Sequence, residues 1–292
     1  VVELIPWSHA PGGGVPTLRG WRSPPSGKPV LHFLHGNGLC GRTYDPMLAR
    51  LAGHFDLWLC DVQGHGDSDP GEHFAGWNRN ARWVLDAFEA HRSLYGGVPV
   101  HAAGHSFGGV LTVLIAALPQ QPFERLVLLD PVLFPPAMLA MLKGMEALGL
   151  SRHNPLAKGA ARRRARWPGR EAAFEALHGR GAYKTWTDDA LRAFVAHGLR
   201  DDAGEVALKC APWLEAEIFS SSPARLWPSV KAIAKPTLLL HGERSFPFVA
   251  RAARRAGRVN RHVRATRVAG GHCFMQEDPA NAGDLVRSFL LG

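Results

Sequence analysis

The chain alternates between short, almost wholly apolar runs and longer stretches in which apolar residues recur every three or four positions. The short runs are 29–35 (PVLHFLH), 55–61 (FDLWLCD), 98–105 (VPVHAAGH), 125–130 (RLVLLD) and 236–241 (PTLLLH). Runs of that length, bounded by Gly, Pro or Asp, suit strands buried on both faces. Between them, 43–52 carries Met47, Leu48 and Leu51 at helical spacing. The stretch 77–95 brings Trp83, Val84, Ala87, Phe88 and His91 onto one face, and 110–118 is an apolar run of helix formers. Strand and helix in turn predict an α/β fold, a mostly parallel central sheet with helices on both faces. Residues 1–23 read as two short strands broken by Pro11, Gly12, Gly13 and Gly14, an edge hairpin.

The rhythm breaks over 135–228. That segment predicts helices at 137–148, 171–178, 188–198 and 212–220 and offers no convincing buried strand, so it reads as an inserted helical lid. The rhythm then resumes with a strand at 236–241, a helix at 248–256, a strand at 262–268 and a closing helix at 279–291. The expected division is a core over 1–134, a lid over 135–228 and a second part of the core over 229–292.

Most of the chemistry gathers at 98–109, VPVHAAGHSFGG. A strand runs into Gly104, His105, Ser106, Phe107, Gly108 and Gly109, and a helix follows. A serine on a sharp strand-to-helix turn is the nucleophile-elbow arrangement G-x-S-x-G. Gly104 and Gly108 let backbone pass close by, and the helix N-terminus favours negative charge forming at the serine oxygen. A hydroxyl needs an adjacent base. His272 suits: it follows the last predicted strand in a glycine-flanked loop. For the acid, Asp130 at the end of its strand is preferred, with Glu243 as the alternative. Oxyanion donors are expected from the backbone N–H of Phe107 and of Asn37, the Asn37 side chain assisting. His35 reads as a brace of that loop or a substrate contact. The loop 61–68, DVQGHGDS, reads as structural, without convincing metal-ligand spacing. His9, His153 and His178 read as surface residues, and His105 as structural.

Composition narrows the partners. Of 292 residues, 34 are basic and 25 acidic, giving a net charge of +9. No nucleic-acid module accompanies that excess, so no nucleic-acid partner is expected. Two clusters carry part of it: Arg162, Arg163, Arg164 and Arg166, and then Arg251, Arg254, Arg255 and Arg258. Such clusters are usually solvated helix faces; the alternative is attraction of an anionic substrate, such as an acyl group on a phosphorylated carrier. The four cysteines have no C-x-x-C spacing, nothing in their pattern requires an oxidising compartment, and Cys60 reads as core. No run approaches the ~20 apolar residues of a membrane span. With no secretory pattern visible, the expected location is cytoplasmic. Oligomeric state is not legible.

Taken together, His35-Gly36-Asn37, Gly64-His65-Gly66-Asp67-Ser68, the elbow 104–109 and Gly271-His272 resemble the α/β-hydrolase superfamily, in its lid-bearing branch of esterases, thioesterases, epoxide hydrolases and haloalkane dehalogenases. The resemblance covers nearly the whole chain outside the lid. It implies a serine–acid–histidine order. It also places the acid in the loop after the strand following the lid, where this chain has Ser245. Members with the acid one strand earlier support Asp130. Ser106, where epoxide hydrolases and dehalogenases carry aspartate, implies acyl transfer without a cofactor. The expected function is a serine hydrolase of carboxylic esters acting on a small-molecule substrate. The alternatives are an acyl thioesterase, a carbon–carbon bond hydrolase or cofactor-free perhydrolase with the same triad, or a non-catalytic receptor on a hydrolase scaffold. Phe134, Met138, Met141, Leu142, Trp186, Trp213 and Phe219 are expected either to line an apolar acyl pocket or to form the core of the lid.

Overall fold

In the computed structural model, residues 3–150 and 154–292 are described, and the apolar runs become strands of one sheet. His153 lies outside the described residues. In chain order the strands are β1 (Ile5–His9), β2 (Leu18–Arg22), β3 (Val30–Leu34), β4 (Asp56–Asp61), β5 (Val100–His105) and β6 (Phe123–Leu129). They continue with β7 (Arg166–Trp167), β8 (Leu199–Asp202), β9 (Glu205–Leu208), β10 (Thr237–Arg244) and β11 (Val263–Gly271). Eight of them form one sheet in the order β1-β2-β4-β3-β5-β6-β10-β11. The edge hairpin β1–β2 joins β4 antiparallel, and the six strands from β4 to β11 run parallel.

Alternation along each strand divides the core into two layers. On β3, Val30 and Leu34 point to one layer, Leu31 and Phe33 to the other. The first layer is roofed by helices Trp77–Arg92, Ser106–Ala116 and Val249–Val259, the second by Asp45–Leu48 and Pro279–Leu291. Helix Ser106–Ala116 is buried along its whole length, which explains its lack of a polar face. Among the described residues no helix is long and apolar enough to cross a membrane.

Two elements differ from expectation. The helix expected over 43–52 is a 3-10 turn, Gly41–Tyr44, followed by the short helix Asp45–Leu48. Pro46 sits in the first turn of that helix, where its missing N–H leaves no partner unsatisfied; it therefore starts a helix there. The insert between β6 and β10 is not purely helical. Its helices Pro136–Ala147, Arg170–Leu177, Asp188–His197 and Pro212–Phe219 lie within one or two residues of expectation. It also folds an antiparallel sheet, β7-β9-β8, and helices Pro155–Ala161 and Leu226–Ala232. These strands are two to four residues long and half polar, too short for alternation to register.

Candidate active site

Every residue singled out for chemistry lies at the carboxyl end of a strand, where open α/β sheets place their ligands. β5 stops at His105, and helix Ser106–Ala116 starts at the next residue. Ser106 takes φ = 53°, a left-handed conformation that costs a non-glycine residue about 1–3 kcal/mol. The turn is this tight because side chains are missing around it. A Cβ on Gly104 would lie 2.5 Å from the Gly108 carbonyl oxygen, and one on Gly108 would lie 2.4 Å from that of Leu34.

β11 delivers His272 to this serine. Its Nε2 lies 2.9 Å from Ser106 Oγ and its Nδ1 2.6 Å from Asp130 Oδ2. An ionised carboxylate only accepts, so Nδ1 carries the proton and Nε2 is free to accept from the hydroxyl. Asp130, which follows β6, is fully buried and also left-handed, at φ = 45°. Its Oδ1 accepts the Gly242 N–H at 2.7 Å, and its Oδ2 also accepts the Ser245 hydroxyl. Where the resemblance implied an acid, this chain has a serine that donates to the acid of the neighbouring strand. Glu243 does not meet the imidazole; it pairs with Arg244 at 3.2 Å on the surface. A residue not anticipated, Glu277, accepts the Gly271 N–H at 2.9 Å and so steadies the loop carrying His272.

The loop after β3 faces the same point. Among the described residues, the backbone N–H groups of Asn37 and Phe107 are not taken up by another protein group. The loop is braced by a relay that the sequence does not reveal. The Gly36 N–H donates to Tyr44 Oη at 3.0 Å, and Tyr44 Oη–H donates to His105 Nδ1 at 2.6 Å. His105 Nε2–H then donates to the His272 carbonyl at 3.0 Å. One chain of bonds thus ties the β3 loop, the elbow and the His272 loop together. On the other side, the Gly38 N–H donates to His65 Nε2 at 3.0 Å, and His65 Nδ1–H donates to the Gln63 carbonyl at 3.0 Å. Asp61 accepts the Gly41 N–H at 2.8 Å. The polar loop 61–68 therefore supports the β3 loop. Burial holds His35 and His105 well below the ordinary histidine range and His65 at about 4, so each is a neutral, directional hydrogen-bonding group.

Two expectations are corrected in this loop. The Asn37 side chain points to the insert, donating to the Glu215 carbonyl at 3.2 Å, and is committed away from Ser106. His35 is fully buried and contacts no substrate space. Its Nδ1–H donates to the Gly36 carbonyl at 2.9 Å and its Nε2 accepts the Val62 N–H at 2.9 Å.

Above Ser106 and His272 is a cavity of about 490 Å³, lined largely by apolar side chains. Phe134, Met138, Met141, Leu142, Trp186 and Phe219 line it. Trp213 does not; the residue is 40% exposed. Helix Pro212–Phe219 turns Glu215, Ile218 and Phe219 toward the cavity, and Trp213 lies about 200° around the axis from Glu215. The cavity also has a polar corner. Arg163 pairs with Glu215 at 2.6 Å and donates to Tyr183 Oη at 2.8 Å, and all three line the space. Arg163 alone of its cluster is drawn into the cavity, whereas Arg162, Arg164 and Arg166 are exposed as expected. Arg164 lies over the Trp167 ring in a cation–π contact, 5.5 Å from the centroid, and Arg166 pairs with Asp202 and Glu205. Their partners lie up to 52 residues away in sequence, beyond the reach of local patterning.

Comparison with known proteins agrees with this fold. The model of the alpha/beta hydrolase family matches residues 33–282. Abhydrolase domain-containing protein AKT2 of Alternaria alternata is 30% identical over 114 residues, 39% of this chain and 38% of that relative. Monoglyceride lipase of Mus musculus is 33% identical over 134 residues, 44% of each chain. The matches thus span less than half the length of these relatives. Among solved structures, E-2-(acetamidomethylene)succinate hydrolase superimposes with a TM-score of 0.76 at 24% identity, covering 99% of this chain and 100% of the other. The thioesterase domain from the curacin biosynthetic pathway gives 0.73 at 18%, covering 98% and 99%. At such identities these two structures speak to the fold alone. With the family model spanning most of its length, this chain belongs to the alpha/beta hydrolase family.

Proposed function

We propose that the chain is a serine hydrolase that cleaves carboxylic esters through an acyl-enzyme on Ser106. The observation that carries this reading is the line Ser106 Oγ–His272 Nε2–His272 Nδ1–Asp130 Oδ2, at 2.9 and 2.6 Å, opening on an apolar cavity. In the first half-reaction, His272 Nε2 takes the hydroxyl proton as Ser106 Oγ bonds to the ester carbonyl carbon. The carbonyl oxygen gains negative charge, and the N–H groups of Asn37 and Phe107 receive it. Such a donor is worth about 10²–10³ in turnover. The imidazolium, stabilised by Asp130, returns the proton to the leaving alkoxide. Water repeats the sequence on the acyl-enzyme and releases the acid.

The apolar lining supports an acyl chain lying toward Phe134, Met138 and Met141, with the insert 135–228 acting as the lid that limits its length. The polar corner at Arg163, Glu215 and Tyr183 supports a polar substituent on one side of the scissile bond. The test is hydrolysis of p-nitrophenyl esters from acetate to decanoate by the native protein and by Ser106→Ala. The expected result is turnover with an optimum in chain length, lost by at least about 10³-fold in the variant. Equal rates from both proteins would remove Ser106 from the chemistry. Complete inactivity of the native protein on every ester would favour a receptor on the same scaffold.

A further inference from the structure

The two arginine clusters of the sequence have opposite fates in the fold. In the first, Arg163 pairs with Glu215, Arg166 pairs with Asp202 and Glu205, and Arg164 lies over Trp167. The second makes no ion pair among the described residues, and only its Arg255 lies over an aromatic ring, that of Trp227. Arg251, Arg254, Arg255 and Arg258 occupy helix Val249–Val259 at positions i, i+3, i+4 and i+7, while Ala252, Ala253 and Ala256 face the core. All four are exposed, and among the described residues none makes an ion pair. Like charges at these spacings repel by a few tenths of a kcal/mol per pair. The face is nonetheless built without a carboxylate to relieve it.

These arginines form one wall of a groove of about 540 Å³. Its other wall is Trp227 with Pro135, Pro136 and Ala137. The Arg255 guanidinium lies 4.8 Å from the centre of the Trp227 ring. The groove and the cavity over Ser106 share a partition. Trp227 Nε1–H donates to the Phe134 carbonyl at 2.9 Å, and Phe134 itself lines the cavity. Ala137 faces the groove and its neighbour Met138 faces the cavity. Phe248, immediately before the arginine helix, also lines the cavity and stacks on Phe134 at 6.0 Å.

We infer that this groove binds the phosphate-bearing end of a thiol carrier of the coenzyme A class, whose acyl thioester is presented to Ser106. Guanidinium forks match phosphate oxygens in pairs, and Pro135 and Pro136, beside the Trp227 ring that Arg255 already covers, offer apolar surface to a planar base. A groove of this size fits one small ligand rather than a polymer track. The inference deepens the proposed role of Ser106 and rests on it. Ser106 Oγ bonds to the acyl carbon, the carbon–sulfur bond breaks with its electron pair going to sulfur, and the proton held by His272 passes to the thiolate. Water then adds to the acyl-enzyme, Ser106 recovers its proton, and the carboxylic acid departs.

The experiment has a binding arm and a turnover arm. Calorimetric titration at low salt compares coenzyme A with pantetheine, which lacks every phosphate and the base. Turnover compares hexanoyl coenzyme A, S-hexanoyl pantetheine and p-nitrophenyl hexanoate. The protein is native or carries Arg254→Glu with Arg255→Glu; the milder pair Arg254→Gln with Arg255→Gln guards against misfolding. Coenzyme A is expected to bind at least tenfold more tightly than pantetheine, and the kcat/KM of its thioester to be higher by a similar factor, through KM. Both advantages disappear in the reversal pair and shrink in the milder one, while p-nitrophenyl hexanoate turnover is unchanged. Equal binding of coenzyme A and pantetheine, or an advantage that survives the reversal, overturns the inference. Capture by phosphatidylglycerol vesicles that coenzyme A fails to compete would assign the face to a lipid surface and also overturn it. Tight coenzyme A binding by a protein inert on all three substrates would instead sink the catalytic reading and leave the groove standing.

Discussion

Replacing Asp130 by asparagine separates the carboxylate's charge from its shape. The carboxylate answers three donors: the Gly242 N–H on Oδ1, and His272 Nδ1–H and the Ser245 hydroxyl on Oδ2. Asparagine has one oxygen for those two sides. Gly242 is backbone on β10 and cannot turn, so keeping its bond sends the amide NH2 toward His272. Nδ1 must then accept, the ring proton moves to Nε2, and Nε2 can no longer take the proton of Ser106. The opposite orientation sets the NH2 against the Gly242 N–H inside a fully buried site. Leaving buried donors unmatched costs about 1–3 kcal/mol, so the unproductive tautomer prevails. Losing the stabilisation of the imidazolium adds to this. Where such a carboxylate has been made an amide, turnover falls about 10⁴-fold, equivalent to about 5.5 kcal/mol. We expect a loss of that order in kcat for p-nitrophenyl hexanoate, with a native circular dichroism spectrum and a cooperative melt. Glu243→Gln, the surface control, is expected to stay within twofold. A folded Asp130→Asn protein that loses less than tenfold would refute the assignment.

Tyr44→Phe strips a partner from both the Gly36 N–H and His105 Nδ1; we expect about 1–3 kcal/mol lower stability in urea titration and a fall in kcat larger than any rise in KM. Unchanged kinetics would leave the relay a purely structural brace. His32 is fully buried, neither ring nitrogen has a hydrogen-bond partner among the described residues, and burial lowers its pKa from 6.5 to about 3. The folded state therefore keeps it neutral, whereas the unfolded chain binds a proton below pH 6.5. Its contribution is complete above pH 6.5 and lost toward pH 3 at about 1.4 kcal/mol per unit. His32→Leu should flatten that part of the stability profile, and an unaltered slope would contradict it. Met138→Trp should shorten the preferred acyl chain, whereas Trp213→Ala, which alters a side chain outside the cavity, should leave the ester profile unchanged.

Long apolar runs made most of the parallel sheet legible, because a strand buried on both faces has few polar positions to blur its limits. The elbow was legible because a serine between Gly104 and Gly108 at a strand end has few other uses. The place of Asp130 beside His272 could be reached through an absence: Ser245 stood where a carboxylate was expected, and the strand beside it ended in one. The fold shows why that substitution is coherent, since the Ser245 hydroxyl donates to Asp130. What stayed hidden depends on distant partners. Tyr44 meets His105 across 61 residues, and nothing local separates it from an ordinary core tyrosine. Arg163 looked like its charged neighbours until the fold placed Glu215 and Tyr183 beside it. The insert was least legible, because β7, β8 and β9 are too short to carry a period.

The central claim is that Ser106 is the nucleophile. Its most direct measurement is the mass of the intact protein after a fluorophosphonate probe, followed by mapping of the modified peptide. A single adduct on Ser106, abolished by Ser106→Ala and strongly slowed by His272→Ala, is the expected result. A native protein that remains unmodified, or carries the adduct elsewhere, would contradict the account.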